Sequence, residues 1–277
     1  MPQNELTPAI SIITINYNNA LGLEKTLESV RMQVFTDYEH IIVDGGSTDE
    51  SKNIILKFLN IGAYSKHISY WCSEEDYGIY NAMNKGIAHA NGLYCLFLNS
   101  GDTLCNQYVL RDCIDDICNA DIISGREVFS NKTVWVGISE KKMNLFNYMN
   151  SFIPHGSTFI KTKILKERKY DESYRIISDY IFFFKELFIF NSTYKTIPAK
   201  ISNFCLDGIS SNNKQLAESE MKDFFQKNLP KYILDLYYNW GGDIGVFDIV
   251  NNKFLILCLK IWRRTISLIK RKLMYYF

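Results

Sequence analysis

The residues best suited to chemistry lie in two short acidic turns. One is Asp44-Gly45-Gly46-Ser47, entered from Ile41-Ile42-Val43, and the other is Asn99-Ser100-Gly101-Asp102, entered from Leu96-Phe97-Leu98. A carboxylate among small residues suits a phosphate-bearing ligand held through a hard cation. Mg2+ or Mn2+ takes oxygen donors and keeps coordination sites for phosphate and water. Such an ion neutralises the charge that develops on a departing diphosphate. Asp102 is the acid of its turn and the expected metal carboxylate. Asn99 stands where a second acid would have been, so the protein supplies few anionic ligands and substrate phosphates complete the shell. Each turn taken alone also fits plain loop chemistry, and Ser47 with Glu50 matches a helix capping box. Farther along, His155 in Pro154-His155-Gly156 reads by itself as a turn histidine. Ser178 or Asp179 reads as the N-terminal cap of a helix carrying Ile181, Phe182, Phe183 and Leu187.

The elements that must position these turns are legible from periodicity. Runs at 9–17, 38–44, 67–72 and 93–98 read as strands, and the continuous apolar stretches that enter the two acidic turns read as buried on both faces. Between them, Leu23, Leu27 and Val30, then Ile54, Ile55, Phe58 and Leu59, then Ile79, Met83 and Ile87 fall at helical spacing. This alternation predicts a parallel, three-layer α/β sheet. In such sheets ligands collect outside the carboxyl ends of the strands, where both acidic turns fall. From about residue 121 the pattern becomes mixed. Short strands are expected at 121–129, 133–136, 157–160, 193–198 and 201–206, with helices at 179–190 and at 215–240, the latter broken at Pro230.

A net charge of +1 over 277 residues gives no sign of a nucleic-acid partner. Seven cysteines, odd in number and without a C-x-x-C, fit a reducing cytoplasm. Residues 1–8 lack the basic and apolar regions of a signal peptide, and no window reaches the ~20 apolar residues of a membrane span. Residues 254–277 hold six basic residues and no acid among apolar and aromatic ones. The segment reads either as a core helix or as an amphipathic tail on an anionic membrane surface, each basic residue adding about 1 kcal/mol there. Peripheral docking at the inner face of the cytoplasmic membrane is the expectation.

Four segments, in order, add a resemblance. They are Ser11-Ile12-Ile13-Thr14-Ile15-Asn16-Tyr17-Asn18, Val43-Asp44-Gly45-Gly46-Ser47-Thr48-Asp49, the run from Ser73 through Asp76 and Lys85 to Gly86, and Phe97-Leu98-Asn99-Ser100-Gly101-Asp102. Together they resemble glycosyltransferase family 2, in the branch that builds bacterial capsule, O-antigen or exopolysaccharide units. The match is specific over 9–105 and looser to about 210. The resemblance implies a GT-A fold, a Rossmann-like and mainly parallel central sheet flanked by helices. Within a domain 1–210 it implies a nucleotide-sugar-binding half at 9–105 and a metal and acceptor half at 106–210, followed by a helical region at 211–277. It implies that Thr14, Tyr17 and Asp44 hold the base and ribose, and that Asp76 and Lys85 close on the nucleotide and diphosphate. Asn99 and Gly101 would flank the donor, with Asp102 the ligand in place of a full Asp-x-Asp motif. His155 would serve in the metal shell or at the acceptor, Asp179 as catalytic base, and Asp207-Gly208 in a loop near the diphosphate.

The function so implied is inverting, Mn2+- or Mg2+-dependent transfer of a sugar from a nucleotide diphosphate-sugar, with UDP expected, to a hydroxyl of a lipid-linked glycan. Two other functions stay open on sequence. A nucleotidyltransferase acting on a sugar phosphate would need a Gly-rich, basic phosphate loop, and residues 14–20 contain neither glycine nor a basic residue. A non-catalytic, membrane-associated protein could keep the fold, against the joint presence of Asp44, Asp102 and Asp179.

Overall fold

A computed structural model describes residues 7–117, 119–129, 133–205 and 213–240. Segment 254–277 and the Asp207-Gly208 loop lie outside these residues. Strand β1 (Ile10–Asn16) is central to the first half, with β2 (Tyr38–Asp44) and β4 (Tyr94–Phe97) parallel on either side and β3 (Ile68–Ser73) parallel beyond β2. Every residue of β1 and β2 is buried, as expected where helices cover both faces of a parallel sheet. Helices α1 (Ala20–Arg31) and α2 (Ser51–Leu59) lay Leu23, Leu27, Val30, Ile55 and Phe58 on one face, against Ile10, Ile12 and Ile42. On the other face, α3 (Ile79–His89) sets Met83 and Ile87 against Ile13, Ile15, Ile41 and Val43.

Past β4 the sheet changes direction. Two-residue β5 (Thr103–Leu104), β6 (Ile122–Phe129), β7 (Val134–Val136), β8 (Thr158–Lys161) and β9 (Tyr194–Phe204) complete it among the described residues. Strand β8 runs antiparallel to β4 and β6, β9 runs parallel to β6, and β5 pairs antiparallel with β9, while β7 lies on β6. The two strands expected at 193–198 and 201–206 are one strand. Its register slips where Ser124 faces Thr196 and Arg126 faces Lys200, so Pro198 sits in an irregularity that needs no ladder donor.

Between the later strands lie the short helices α4 (Val109–Cys113), α5 (Leu145–Met149) and α6 (Thr162–Arg168), and then α7 (Ser178–Phe184). The helix expected at 179–190 is α-helical only to Phe184 and continues as a π-turn, Lys185–Phe190, closed by Asn191 at φ +60°. Pro230 divides α8 (Lys214–Asn228) from α9 (Lys231–Trp240) as expected. Phe224, Phe225 and Ile233 join Phe184 and Tyr180 in the core that also holds Ile13 and Val43, so these helices share one core with the sheet. The capping box does not form. Helix α2 starts at Ser51 after Glu50, and the Ser47 hydroxyl is spent on Asp44. No helix among the described residues is long and apolar enough to cross a membrane.

Candidate active site

Register sets Asn16, Asp44 and Ser73 side by side at the carboxyl ends of β1, β2 and β3. The fully buried Asp44 carboxylate accepts from Asn16 Nδ2 (2.7 Å), Ser47 Oγ (2.5 Å), Ser47 N (3.0 Å) and Ser73 Oγ (2.7 Å). These bonds fix the strand ends as a rigid ledge. Gly45 follows, with Asp76 and Tyr17 leaning over it. A Cβ at Gly45 would run into Asp76 Oδ2 and come within 3.4 Å of the Tyr17 ring. Tyr17 and Tyr77 are 63% and 92% exposed, aromatic faces left open beside the ledge. Asp76 Oδ1 accepts from Gly78 N (2.9 Å). Lys85 reaches from α3 to Glu74 Oε1 (3.0 Å) and donates to the Glu75 carbonyl (3.0 Å), pinning the segment that carries Asp76. The structure therefore brings Tyr17, Asp44, Asp76 and Lys85 together. Thr14 stays apart: two residues short of the strand end and fully buried, it bonds His40 Nε2 (2.9 Å). Burial, helped by the His67 charge, pushes His40 down to about 3, so its ring is neutral.

The second turn lies beside this ledge. Leu98 N and Ser100 N bond the Ile13 and Ile15 carbonyls (both 2.9 Å), carrying the β1–β4 pairing past the end of β4. Gly101 takes φ +106°, a conformation that favours glycine. The buried Thr26 hydroxyl of α1 donates to the Asp102 carbonyl (2.7 Å) and accepts from Gly101 N (3.0 Å). Asn19, which caps α1, donates to the Ser100 carbonyl (2.9 Å). The turn is thus clamped from α1, a role the helical spacing of Leu23, Leu27 and Val30 gave no hint of.

Asp102 is 6% exposed and accepts from Cys205 N (2.8 Å), and burial pushes its carboxyl up to about 7. Facing it is a residue that sequence reasoning missed. Glu127 of β6 is 3% exposed, and its carboxyl is pushed up to about 8 by burial, by the Asp102 charge and by that of Asp179. The sequence around it, Ser124-Gly125-Arg126-Glu127-Val128, gives an acid next to a basic residue and no signal that it is buried. Gly156 separates the two: a Cβ there would lie 3.1 Å from Glu127 Oε1, 3.4 Å from Ser202 Oγ and 3.8 Å from Asp102 Oδ2.

Asp179 stands in the first turn of α7, but the cap residue is Ile177 and no side chain caps this helix. The carboxylate instead meets the buried Tyr80 hydroxyl, which lies 2.7 Å from both Asp179 Oδ1 and the Ile176 carbonyl. His155 packs its ring on Phe97 (4.7 Å between centroids), and its Nε2 bonds the Tyr170 hydroxyl (2.8 Å). Burial lowers its pKa while Asp179 acts to raise it. Only Nδ1 is left for an ion or an acceptor.

Among the described residues no three His, Cys, Asp or Glu converge to hold a metal by themselves. The donor set nonetheless fits a hard cation that keeps water and phosphate ligands. Asn99 Oδ1 is buried without a partner, Asp102 is a buried carboxylate beside it in the turn, and the space over Gly156 is bounded by oxygens.

The family model for Glycosyl transferase family 2 matches residues 11–189. The chain belongs to glycosyltransferase family 2. This glycosyltransferase is 29% identical over 218 residues to an uncharacterized glycosyltransferase of Mycobacterium tuberculosis, covering 76% of this chain and 80% of that one. Its fold is that of TarS from S. aureus in complex with UDP-GlcNAc (TM-score 0.60, 18% identity, 74% of this chain), of which it spans 60%. It is also that of the mannosyltransferase PcManGT from Pyrobaculum calidifontis in complex with GDP-Man and Mn2+ (TM-score 0.57, 13% identity, 77% of this chain and 61% of that one). The sheet is accordingly a GT-A sheet.

Proposed function

We propose that this glycosyltransferase is inverting and metal-dependent, moving one sugar from a UDP-sugar to a hydroxyl of a lipid-linked glycan in bacterial surface polysaccharide biosynthesis. The observation that carries the proposal is the convergence of three acids from distant segments. Asp102 and Asp179 both act on Glu127, while the Asp44–Gly45–Asp76 ledge opens beside the Asp102 turn. In this mechanism Tyr17 and Asp76 bracket the base and ribose above Gly45, and Lys85 keeps their segment in place. Asp102 would hold a Mn2+ or Mg2+ ion, which would supply the positive charge that neutralises the diphosphate leaving group. Asp179, aimed by the Tyr80 hydroxyl, takes the proton of the acceptor oxygen as that oxygen attacks the anomeric carbon from the side opposite the diphosphate. UDP as the carrier is supported by the UDP-GlcNAc bound to TarS, and the ion by the Mn2+ of PcManGT.

The basic, apolar composition of 254–277 supports docking on an anionic membrane, where a lipid-linked acceptor would present its sugar end. The deciding experiment follows UDP release from a panel of UDP-sugars with Mn2+, with and without lipid-linked acceptor, in wild type and Asp179→Asn. Transfer should fall by ~10²-fold or more in the variant while donor affinity stays within about twofold. Absence of release from every nucleotide-sugar, with or without acceptor, overturns the proposal. Sedimentation with anionic vesicles at low and high salt tests the membrane part, and salt-independent or absent binding removes it.

A further inference from the structure

We infer that Glu127 is a second carboxylate of the ion site, so that the divalent cation sits in the gap over Gly156 between Asp102 Oδ2 and Glu127 Oε1. This rests on the proposed metal-dependent transfer and adds to it a ligand from outside the Asn99–Asp102 turn. Three oxygens, those of Glu127, Ser202 and Asp102, surround the point where a methyl group on residue 156 would sit, at 3.1, 3.4 and 3.8 Å. Both acids are more than nine-tenths buried, at 3% and 6% exposure.

Among the described residues neither has a Lys, Arg or His within ion-pair distance, and the bonds from Cys205 N to Asp102 and from Ser202 to Glu127 compensate them less than every other strongly buried acid is compensated. Glu186 pairs with Arg168 (2.8 Å), Asp44 accepts four hydrogen bonds, and Glu39 accepts from Ser11 and from two backbone N–H groups. Buried charges are paired or coordinate metals. Two facing acids that lack a cation of their own therefore point to one that comes from solution. The site has a floor as well: the backbone of Gly156 and the Ser202 hydroxyl, itself bonded to Ser157 Oγ (2.7 Å), close the gap from below. Glycine at 156 keeps the space clear, since any side chain would occupy the ion's place.

The inference assigns the two halves of the molecule a common ligand. Asp102 comes from the turn after β4 and Glu127 from β6, so the ion would tie the nucleotide half to the acceptor half. A shared proton between the two carboxyls is the alternative that the test must separate.

Calorimetric titration of the full chain with Mn2+ alone, and with UDP before and after Mn2+, is compared for wild type, Glu127→Gln, Glu127→Asp and Gly156→Ala. Gln keeps the shape of Glu127 and its bond to Ser202, so folding should survive. Glu127→Gln should weaken Mn2+ binding by at least about tenfold and remove most of the Mn2+-dependent gain in UDP affinity, leaving metal-free UDP affinity unchanged. Gly156→Ala, with both acids intact, should show the same loss, and Glu127→Asp should recover part of it. A Glu127→Gln chain that keeps the full Mn2+ effect while Asp102→Asn loses it overturns the assignment and leaves the transfer proposal standing. Wild type that turns over UDP-sugars without any Mn2+ effect also overturns it, in favour of the shared proton. Wild type that neither binds nor turns over UDP-sugars overturns both.

Discussion

Replacing Asp102 by Asn should make the metal-free protein more stable while abolishing transfer, two effects of opposite sign from one atom. Burial raises this carboxyl from 3.8 to about 7, so the folded state binds its proton more tightly than the unfolded state does. Its contribution is therefore intact at acid pH and is lost progressively as pH rises from about 4 to about 7. At about 1.4 kcal/mol per pH unit, the ceiling on the neutral-pH deficit is about 4 kcal/mol. Asn can still accept from Cys205 N and can donate to Glu127, whose own ionisation eases once the facing charge is gone. With local relaxation, a gain of about 2–3 kcal/mol at pH 8 is expected, raising Tm by roughly 5–10 °C. Thermal unfolding followed by circular dichroism in EDTA at pH 4, 5, 6, 7 and 8 measures it. The advantage of the variant should be near zero at pH 4 and level off above pH 7. Added Mn2+ and UDP should then stabilise wild type and leave the variant unmoved. A variant that is less stable than wild type at pH 8, or whose advantage ignores pH, refutes the buried-charge reasoning. One that still gains fully from Mn2+ refutes the ligand role.

Three further outcomes follow from contacts described above. Gly45→Ala should displace the Asp76 carboxylate and weaken UDP binding by about tenfold or more, the scale of one charge-assisted hydrogen bond at about 1.5–3 kcal/mol, with Tm nearly unchanged because the clash meets a flexible side-chain end. Unaltered UDP affinity by calorimetry would remove Asp76 from the nucleotide site. Tyr80→Phe should lower kcat by about tenfold while donor KM holds, since the hydroxyl aims Asp179 and meets no substrate itself; a change confined to KM would contradict this. Glu39 is disfavoured as an anion by burial, but the Ser11 hydroxyl and the Asn91 and Gly92 N–H groups outweigh that and hold its carboxyl below its ordinary 4.5. Its stabilisation is present at neutral pH and lost as pH falls through that lowered value, so Glu39→Gln should cost about 1–3 kcal/mol at pH 7 and progressively less below pH 4.5 in urea titrations.

The parallel half was legible because its signal is strong and local. Residues 38–44 bury all seven side chains, and the apolar Ile41-Ile42-Val43 at their centre announces a buried strand from sequence, although Glu39 and His40 are buried with it. Asp44, Asp102 and Asp179 were singled out for a related reason, since acids at strand and helix ends break such runs visibly. Thr14 marks the limit. Strand alternation aims it toward His40 and Tyr64 beneath the sheet, and only three-dimensional pairing shows which strand residues reach the edge. Glu127 was missed because the alternation of β6 gives an acid no distinctive spacing, and its significance depends on Asp102, which lies across Gly156. Thr26 sits among the apolar positions of α1, and nothing local says that its hydroxyl clamps a turn 75 residues away. The capping-box misreading has the same origin. Ser47 had two possible partners, and Asp44, three residues back and already buried, won.

Strand β9 bears on the order in which the enzyme is built. Asp102 receives its hydrogen bond from Cys205, 103 residues on, and β5, the two residues after Asp102, pairs among the described residues with β9 alone (Thr103↔Asn203). The ledge at Asp44, by contrast, is closed by bonds spanning 3 to 29 residues. Contacts of long sequence separation form late, and chains emerge from the ribosome N-terminus first. A nascent chain of about 150 residues would already hold the surface proposed for the base and ribose. The carboxylate proposed to meet the diphosphate would stay unanchored until residue 205 arrives. Capture of the nucleotide and activation of its bond to sugar are thereby separated in the life of each molecule, and unfinished copies would hold the donor without being equipped to cleave it.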